Sequence, residues 1–355
     1  MSENLIEIKD LKIHFFTDEG VVRAVDGMDL TIQKGKTMCL VGESGCGKSV
    51  ACRALLQIVR APGKIVSGEI IYHQQLGKGA EEIVNIAQLS PTGQQIRSIR
   101  GKEIAMIFQE PMTSLSQMYT VGNQIIESIL LHNTQLSKKE ARTLAISLLA
   151  QVGIPKPERL VDEYPFRLSG GMRQRVMIAM AISCNPALLI ADEPTTALDV
   201  TTQANILDLM KELQTKHNMS VLFITHDLGV VAEIADEVAV MYLGKIVEKS
   251  DVNTIFNAPK HPYTQALLNS IPKIAMKREE LDPIKGIVPN PYRRPGGCPF
   301  HPRCSKAMPE CKTIKPAVTK LGENHFVECL LYEDLPGKPA LKATDPVSDG
   351  ANINA

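Results

Sequence analysis

The stretch Leu40–Ser49, which reads LVGESGCGKS, decides the fold of the chain around it. It fits the pattern G-x-x-x-x-G-K-[ST], in which a glycine-rich turn points backbone N–H groups at a chain of phosphates. Residues 36–41 before it resemble a buried strand, and residues 50–56 after it have helical periodicity. Strand, loop and helix together predict an α/β fold with a phosphate site where the helix dipole favours anions.

Two side chains of this loop have distinct expected roles on a nucleoside triphosphate. Lys48 would reach the β- and γ-phosphates, and the Ser49 hydroxyl would coordinate Mg²⁺. Contacts to the nucleotide are expected along the whole loop, which comprises Gly42, Glu43, Ser44, Gly45, Cys46, Gly47, Lys48, Ser49 and Val50.

Polar residues also follow three later runs that predict buried strands. Gln109 follows the first run, Asp192-Glu193 the second and His226 the third. Because ligands bind beyond the carboxyl ends of parallel strands, these side chains are expected at the phosphate site. Asp192 would hold Mg²⁺ through water, and Gln109 would reach Mg²⁺ or the attacking water. Glu193 would polarise that water as the base, and His226 would contact the γ-phosphate; an ordinary strand end is the alternative for each.

A second glycine turn, Ser169-Gly170-Gly171, precedes a helix that is predicted to reach Ile182. Ser169 is a good N-cap, and the two glycines leave the helix start bare enough to meet a second anion. A plain helix cap is the alternative. Asp199 precedes another predicted helix, 200–217.

Other segments indicate the surroundings of the site. Residues 5–33 alternate like strands, and Phe15 near the end of one strand either stacks on an adenine ring or packs in the core. Residues 74–103 are polar and predict a surface insertion. Residues 121–131 and 137–152 have helical periodicity and predict a helical subdomain.

Composition argues against several classes of function. The 355 residues include 39 acidic and 39 basic side chains, so no strong field directs the chain to nucleic acid. Tryptophan is absent, which argues against a stacking platform for single strands. No apolar run approaches the roughly 18 residues of a membrane helix, and the first residues lack a secretory h-region. A cytoplasmic protein that binds no nucleic acid is therefore expected.

In chain order, these sites resemble the nucleotide-binding subunit of an ABC transporter, over about residues 5–332. Four strings are similar to the peptide and nickel importer subfamily: IAMIFQEPMTSL (104–115), LSGGMRQRV (168–176), PTTALDV (194–200) and HPYTQALL (261–268). The resemblance implies a phosphate-loop ATPase core with a RecA-like parallel sheet, an antiparallel β subdomain and a helical subdomain. A small irregular cysteine-rich C-terminal domain would follow this α/β core.

The resemblance also implies a division of the chain. The ATPase domain would cover residues 1–255, with its helical subdomain at about 112–182. The importer-type extension would cover 256–332, and 333–355 would be a disordered tail. Two dipeptides depart from the subfamily: Ser116-Gln117 replaces Asn-Pro near the surface that would meet membrane subunits, and Phe166-Arg167 replaces His-Glu.

The implied function is ATP hydrolysis that powers import of a solute, with di- or oligopeptides first and nickel, opines or sugars as alternatives. The implied partners are a second ATPase chain in a head-to-tail hetero-dimer, two membrane permease subunits and, indirectly, an extracytoplasmic solute-binding protein. The protein would lie at the cytoplasmic face of the inner membrane. In the dimer, Ser169, Gly170 and Gly171 would meet the γ-phosphate held by the other loop, and Asp199 is counted among the nucleotide-binding residues. A soluble ABC ATPase without a transport role is the competing class.

Four late cysteines, Cys298, Cys304, Cys311 and Cys329, predict a metal site in a proline- and glycine-rich segment that needs a staple. A Cys₄ set suits structural zinc, although zinc pairs usually have two to four residues between ligands and none occurs here. It also suits an iron–sulfur cluster. The subfamily resemblance favours a four-iron four-sulfur cluster, and zinc stays the alternative.

Overall fold

Two β-sheets organise the protein, whose structure is a computed structural model that describes residues 2–76, 80–109, 114–196, 198–270, 284–335 and 340–341. The strands are β1 Asn4–Thr17, β2 Gly20–Gln33, β3 Thr37–Val41, β4 Gly63–Leu76, β5 Ala80–Asn85, β6 Ile104–Ile107, β7 Leu188–Asp192, β8 Ser220–Thr225, β9 Glu237–Tyr242, β10 Lys245–Asp251, β11 Val318–Lys320 and β12 Phe326–Glu328. Residues 110–113 and Ala197, which belong to two of the recognised strings, lie outside the described residues, as does most of the 333–355 tail.

The larger sheet has the strand order β11-β12-β10-β9-β3-β8-β7-β6. Strands β9, β3, β8, β7 and β6 are parallel neighbours. Every residue of β3, β7 and β8 is buried, as expected for parallel strands covered on both faces. The predicted parallel α/β core is therefore confirmed.

Side chains of β3 alternate between two hydrophobic cores. Cys39 and Val41 belong to the core that includes the helical region, whereas Met38 and Leu40 belong to the core beneath the smaller sheet. This alternation follows from the two-residue period of a strand. The phosphate loop therefore begins directly after a buried strand that lies inside the sheet, between β9 and β8.

The smaller sheet is antiparallel, with the order β2-β1-β4-β5. The predicted surface insertion at 74–103 was wrong in part. Strand β4 continues to Leu76, β5 pairs with it, and a helix follows at Gln94–Ile99. The polar sequence fits an edge hairpin, since the outer face of such a strand meets water.

Helices flank the larger sheet. They are α1 Lys48–Ala54, α2 Gln94–Ile99, α3 Val121–His132, α4 Lys138–Gln151, α5 Pro157–Leu160, α6 Gly170–Ala181, α7 Val200–His217, α8 Leu228–Ile234, α9 Val252–Asn257 and α10 Pro262–Asn269. Helices α3 to α6 fall inside the region predicted to be helical. Ser137 and Glu140 form a reciprocal capping box at the start of α4, as their spacing predicts.

The C-terminal extension is joined to the ATPase part by strands and by core packing. Strand β12 pairs with β10, and β11 with β12, so the extension lengthens the larger sheet. Cys298, Phe300 and Cys311 belong to the same hydrophobic core as the helical region. The separate cysteine-rich domain expected from the sequence is not confirmed. The boundaries at 255 and 332 stay predictions.

Candidate functional site

The phosphate loop needs glycine at two positions. Gly42 has φ 149°, and a Cβ there would lie 2.2 Å from the carbonyl oxygen of Met241. Gly47, the N-cap of α1, has φ 109°, and a Cβ there would lie 2.3 Å from the carbonyl oxygen of Ala24. Both conformations are unfavourable for residues with side chains, and both contacts are with backbone that has little freedom to move. The loop is thus held between β9 and β2.

The two loop residues expected to act on phosphate and magnesium make defined contacts. The Nζ atom of Lys48 donates hydrogen bonds to the carbonyl oxygens of Gly42, at 2.7 Å, and Glu43, at 3.1 Å. The Ser49 hydroxyl donates to Oδ1 of Asp192 at 2.8 Å. A hydroxyl and a carboxylate side by side are oxygen donors of the kind that Mg²⁺ prefers, so the residues fit the ion.

Asp192 lies at the end of β7 and is buried. Burial is the main cause that raises the pKa of its carboxyl group, and the hydrogen bond from Ser49 acts in the opposite direction. A cation at this position would favour the ionised carboxylate, since it offsets the cost of burying the charge.

The Glu193 carboxylate contacts the two other strand-end side chains, Gln109 and His226. Its Oε2 atom accepts hydrogen bonds from the Gln109 amide at 2.9 Å and from the Thr196 hydroxyl at 3.1 Å. Its Oε1 atom lies 3.3 Å from Nδ1 of His226. The backbone has φ 49°, which few residues with a side chain adopt and which is frequent at functional sites. Thr196 was missed because a threonine after a strand end has no distinguishing pattern.

The second glycine turn is formed as predicted at its helix start. The Ser169 hydroxyl caps α6 by accepting from the Met172 N–H at 3.3 Å. A Cβ on Gly171 would lie 2.8 Å from Cγ2 of Thr202, whose N–H donates to the Asp199 carboxylate at 2.9 Å. The Asp199 pKa is lowered by these backbone and hydroxyl interactions with Thr202. Among the described residues, no hydrogen bond joins this turn to the phosphate loop of the same chain.

Two further predicted residues lie on α1 and β1. Val50 is half-buried in the first turn of α1, which follows the phosphate loop. Phe15 is partly buried against the core beneath the smaller sheet, and its ring covers Gly63, where a Cβ would lie 2.7 Å from Cε1. The neighbouring Phe16 is about half exposed. Adenine stacking by Phe15 stays a prediction.

The four late cysteines are free thiols that lie near one another. Burial raises the pKa of Cys298 and of Cys304, each to about 11. Burial also raises the pKa of Cys329, and the charges of Cys298, Cys304 and Cys311 raise it further. Within the part of the chain that the structure describes, no three His, Cys, Asp or Glu side chains have the arrangement of a metal site. The predicted iron–sulfur or zinc site is therefore not confirmed.

The strand order and the two carboxylates at the end of β7 define the class, an ABC-type ATPase fold. A solved ATP-binding cassette with the same fold, described as the dimeric structure of the bacterial ABC transporter cassette MJ0796, superposes with a TM-score of 0.59 at 25% identity. The match covers 70% of this chain and 99% of that chain. Of the helices in the described ranges, none combines the length and the apolar character required to cross a membrane.

Sequence comparison gives the particular family. Residues 25–196 match the ABC transporter family, and residues 247–311 match the oligopeptide/dipeptide transporter C-terminal region. The oligopeptide transport ATP-binding protein AppD of Bacillus subtilis (strain 168) is 50% identical over 93% of this chain and 97% of that protein. The dipeptide transport ATP-binding protein DppD of Escherichia coli (strain K12) is 45% identical over 95% and 99%. The chain belongs to this family of ABC transporter ATP-binding proteins.

Proposed function

We propose that this protein is the ATP-hydrolysing subunit that powers import of di- or oligopeptides through an ABC transporter. The observation that carries the proposal is the position of Glu193. It is bonded to Gln109 and His226 and directly follows Asp192, which is bonded to Ser49 of the phosphate loop. The peptide solute is taken from the names of the relatives. Nickel, opines or sugars are alternative solutes for the same ATPase role, and a soluble ABC ATPase is the competing class.

Each polar group at the loop has a task in this proposal. Lys48 exchanges its bonds to loop carbonyls for bonds to the β- and γ-phosphates and neutralises charge on the transferred phosphoryl group. Glu193 orients the attacking water and accepts its proton, while Gln109 and His226 hold the carboxylate in position. Ser49 and Asp192 would hold Mg²⁺, which offsets the phosphate charge when it is bound.

The Ser169-Gly170-Gly171 turn is assigned to a second ATPase chain's nucleotide. Ser169 is exposed and caps the helix, the two glycines are half-buried, and the described contacts do not join the turn to the phosphate loop of its own chain. A helix start of this kind favours an anion, so the γ-phosphate held by a partner's loop is the proposed ligand. The cassette with the same fold is described as dimeric, which supports a site shared with a second ATPase chain; the head-to-tail arrangement is part of the proposal. A hetero-dimer with a different ATPase chain is the proposed form.

The proposed contact with two permease subunits is supported by exposed apolar side chains, two of them shortly after Gln109 in the sequence and one just before the Ser169-Gly170-Gly171 turn. Met118 is 81% exposed, Tyr119 60% and Phe166 58%. Phe166 stacks on Tyr164 with ring centroids 5.5 Å apart. Side chains of this type are enriched at protein interfaces. Bound to the permease subunits, the protein would lie at the cytoplasmic face of the inner membrane. An extracytoplasmic solute-binding protein would act on it only indirectly, through those permease subunits.

The cysteine segment is proposed to hold a four-iron four-sulfur cluster, with zinc as the alternative. Its support is the proximity of four thiols in a segment without a large core of its own. Each ligand must lose a proton to bind metal, and the raised pKa values of Cys298 and Cys304 make this loss harder at neutral pH. The cluster would stabilise the extension or sense redox conditions and would take no part in hydrolysis.

The test is reconstitution with candidate permease subunits and a candidate second ATPase chain from the same organism. Addition of peptide with the matching solute-binding protein should raise ATP hydrolysis in proteoliposomes, and a Glu193→Gln chain should remove the increase. If the chain co-purifies with permeases but only nickel, opines or sugars stimulate it, the peptide assignment is wrong. Full hydrolysis without any membrane partner, and no co-purification in detergent, would favour the soluble class.

A further inference from the structure

Glu43 of the phosphate loop is held by the C-terminal part of the chain. The guanidinium of Arg303 donates to both carboxylate oxygens of Glu43, from Nη1 at 2.6 Å and from Nη2 at 2.9 Å. The backbone N–H of Glu43 donates to the hydroxyl oxygen of Tyr263 at 2.9 Å. The carbonyl oxygen of Glu43 accepts from Lys48 at 3.1 Å. One loop residue is thus fixed at its amide, its side chain and its carbonyl.

The two residues that hold Glu43 are themselves rigidly placed. The Arg303 side chain is only 3% exposed and lies against the Tyr242 ring, 5.9 Å from its centroid. Phe300, three residues earlier, packs edge-on against Tyr242 and Tyr263, with centroids 5.2 and 5.3 Å away. Because the surrounding rings already hold the Arg303 side chain, forming the bidentate pair with Glu43 costs less side-chain entropy than forming an ion pair on the surface.

Tyr263 is anchored from the opposite side by a buried carboxylate. Glu248 of β10 accepts hydrogen bonds from the N–H groups of Lys260, at 2.7 Å, and His261, at 2.9 Å, and from His325 at 2.8 Å. His261 in turn caps α10 by accepting from the Tyr263 N–H at 3.0 Å. The turn that carries Tyr263 is therefore held against strand β10 of the larger sheet, and Tyr263 contacts the phosphate loop from this fixed position.

We propose that Arg303 and Tyr263 are positioning residues of the nucleotide site, acting through Glu43. The inference rests on the proposed ATP site, but the family's motifs do not assign either residue. Tyr263 fixes the backbone whose carbonyl receives Lys48, and Arg303 neutralises a carboxylate within the loop that binds a polyanion. Without Arg303, the Glu43 charge would act directly against the triphosphate, because the loop is partly shielded from solvent.

The effect of the Glu43 charge on ATP binding can be separated from the effect of lost packing around Arg303, because only the charge effect is reversed by a second substitution at Glu43. Arg303→Gln should weaken ATP binding about tenfold, which corresponds to about 1.4 kcal/mol. Adding Glu43→Gln to that variant should recover most of the loss, because the unpaired charge is then gone. Arg303→Lys should keep most of the affinity, since it retains the charge but loses the two-pronged geometry. Tyr263→Phe should weaken ATP binding by a smaller factor than Arg303→Gln. The factor should be the same whether residue 43 is Glu or Gln, because Tyr263 contacts the backbone N–H of Glu43.

Arg294 provides a matched control in the same extension. It pairs with Asp26 at 3.0 Å and donates to the carbonyl oxygens of Arg23 and Leu243, but it does not touch Glu43. Arg294→Gln therefore removes an arginine that ties the extension to the core without changing the charge of the phosphate loop. Its ATP affinity should stay within about twofold of the wild type, although its thermal stability falls.

The experiment measures the affinity of the full-length chain for a fluorescent ATP analogue at low and high salt, with thermal unfolding recorded for every variant. The expected pattern is a loss in Arg303→Gln, recovery in the double variant, and a loss that shrinks at high salt. Equal affinities for Arg303→Gln and Arg294→Gln, or no recovery in the double variant, would overturn the inference. If Arg303→Gln does not fold, Arg303→Lys decides, since it keeps the cation beside Glu43: an affinity within about twofold of the wild type supports the charge argument, and a loss of about tenfold overturns it. A wild-type chain that binds no ATP would refute the proposed function instead.

Discussion

Acid should selectively weaken the turn that carries His261. This side chain is fully buried, and burial lowers its pKa from 6.5 to about 4, although the nearby Glu248 carboxylate acts in the opposite direction. Its Nδ1 atom accepts the N–H of Tyr263, so that nitrogen must be unprotonated in the folded state. Protonation would both charge a buried ring and remove the cap of α10.

The size and sign of the effect follow from the two pKa values. Below about pH 6.5 the unfolded chain binds a proton that the folded chain does not, so the free energy of unfolding falls as the pH falls. The loss begins near pH 6.5 and is complete near pH 4. With about 1.4 kcal/mol for each pKa unit, the contribution of His261 reaches about 3 kcal/mol at pH 4.

The assay is urea denaturation at pH 7.5, about 6, about 5 and about 4.5 for the wild type and His261→Asn. Asparagine also caps helices and does not titrate in this range, so it is the matched control. The wild type should lose more stability than the variant over this interval, and the difference should grow below pH 6.5. Parallel curves for the two proteins would refute the reasoning, because carboxylates elsewhere contribute equally to both.

Three further predictions concern the ATP site and the cysteine segment. Glu193→Gln should abolish steady-state hydrolysis, leave ATP binding intact and trap an ATP-dependent dimer, and near wild-type turnover measured by phosphate release would contradict its role as base. The isolated chain should hydrolyse ATP poorly until a partner supplies a second Ser-Gly-Gly turn; full activity in a preparation shown to be monomeric by light scattering would exclude this. Anaerobic purification should give a brown protein whose broad visible absorption bleaches on reduction and disappears in Cys304→Ser, whereas a colourless protein with stoichiometric zinc would decide against iron.

The parts of the fold that the sequence predicted well are those determined locally. The phosphate loop was recognisable because two of its glycines have positive φ and no room for a Cβ, which restricts the residue type at fixed spacing. The grouping of Gln109 and His226 around Glu193 followed from one rule, that parallel strands end at the same edge of a sheet. Neither inference needed knowledge of distant contacts.

The parts that were missed depend on contacts between distant segments. Arg303 and Glu43 are 260 residues apart, and neither neighbourhood carries a pattern that points to the other. Strand β5 was read as insertion because its polar residues suit an edge, and edge strands lack the apolar alternation used to detect strands. Strands β11 and β12 have three residues each, which is too short for periodicity. Such elements are specified by the surface they pair with.

Several polar groups of the site pair with one another and must change partners when a ligand enters. Lys48 is hydrogen-bonded to loop carbonyls and Ser49 to Asp192. Each of these hydrogen bonds satisfies a group that would otherwise be partly buried without a partner, and each must be exchanged for a contact with phosphate or magnesium, whereas Gln109 stays bonded to Glu193. The net affinity for the nucleotide is therefore the difference between two sets of hydrogen bonds. The Arg303–Glu43 pair does not need to be exchanged, so it can keep the loop's backbone in place while the other contacts change.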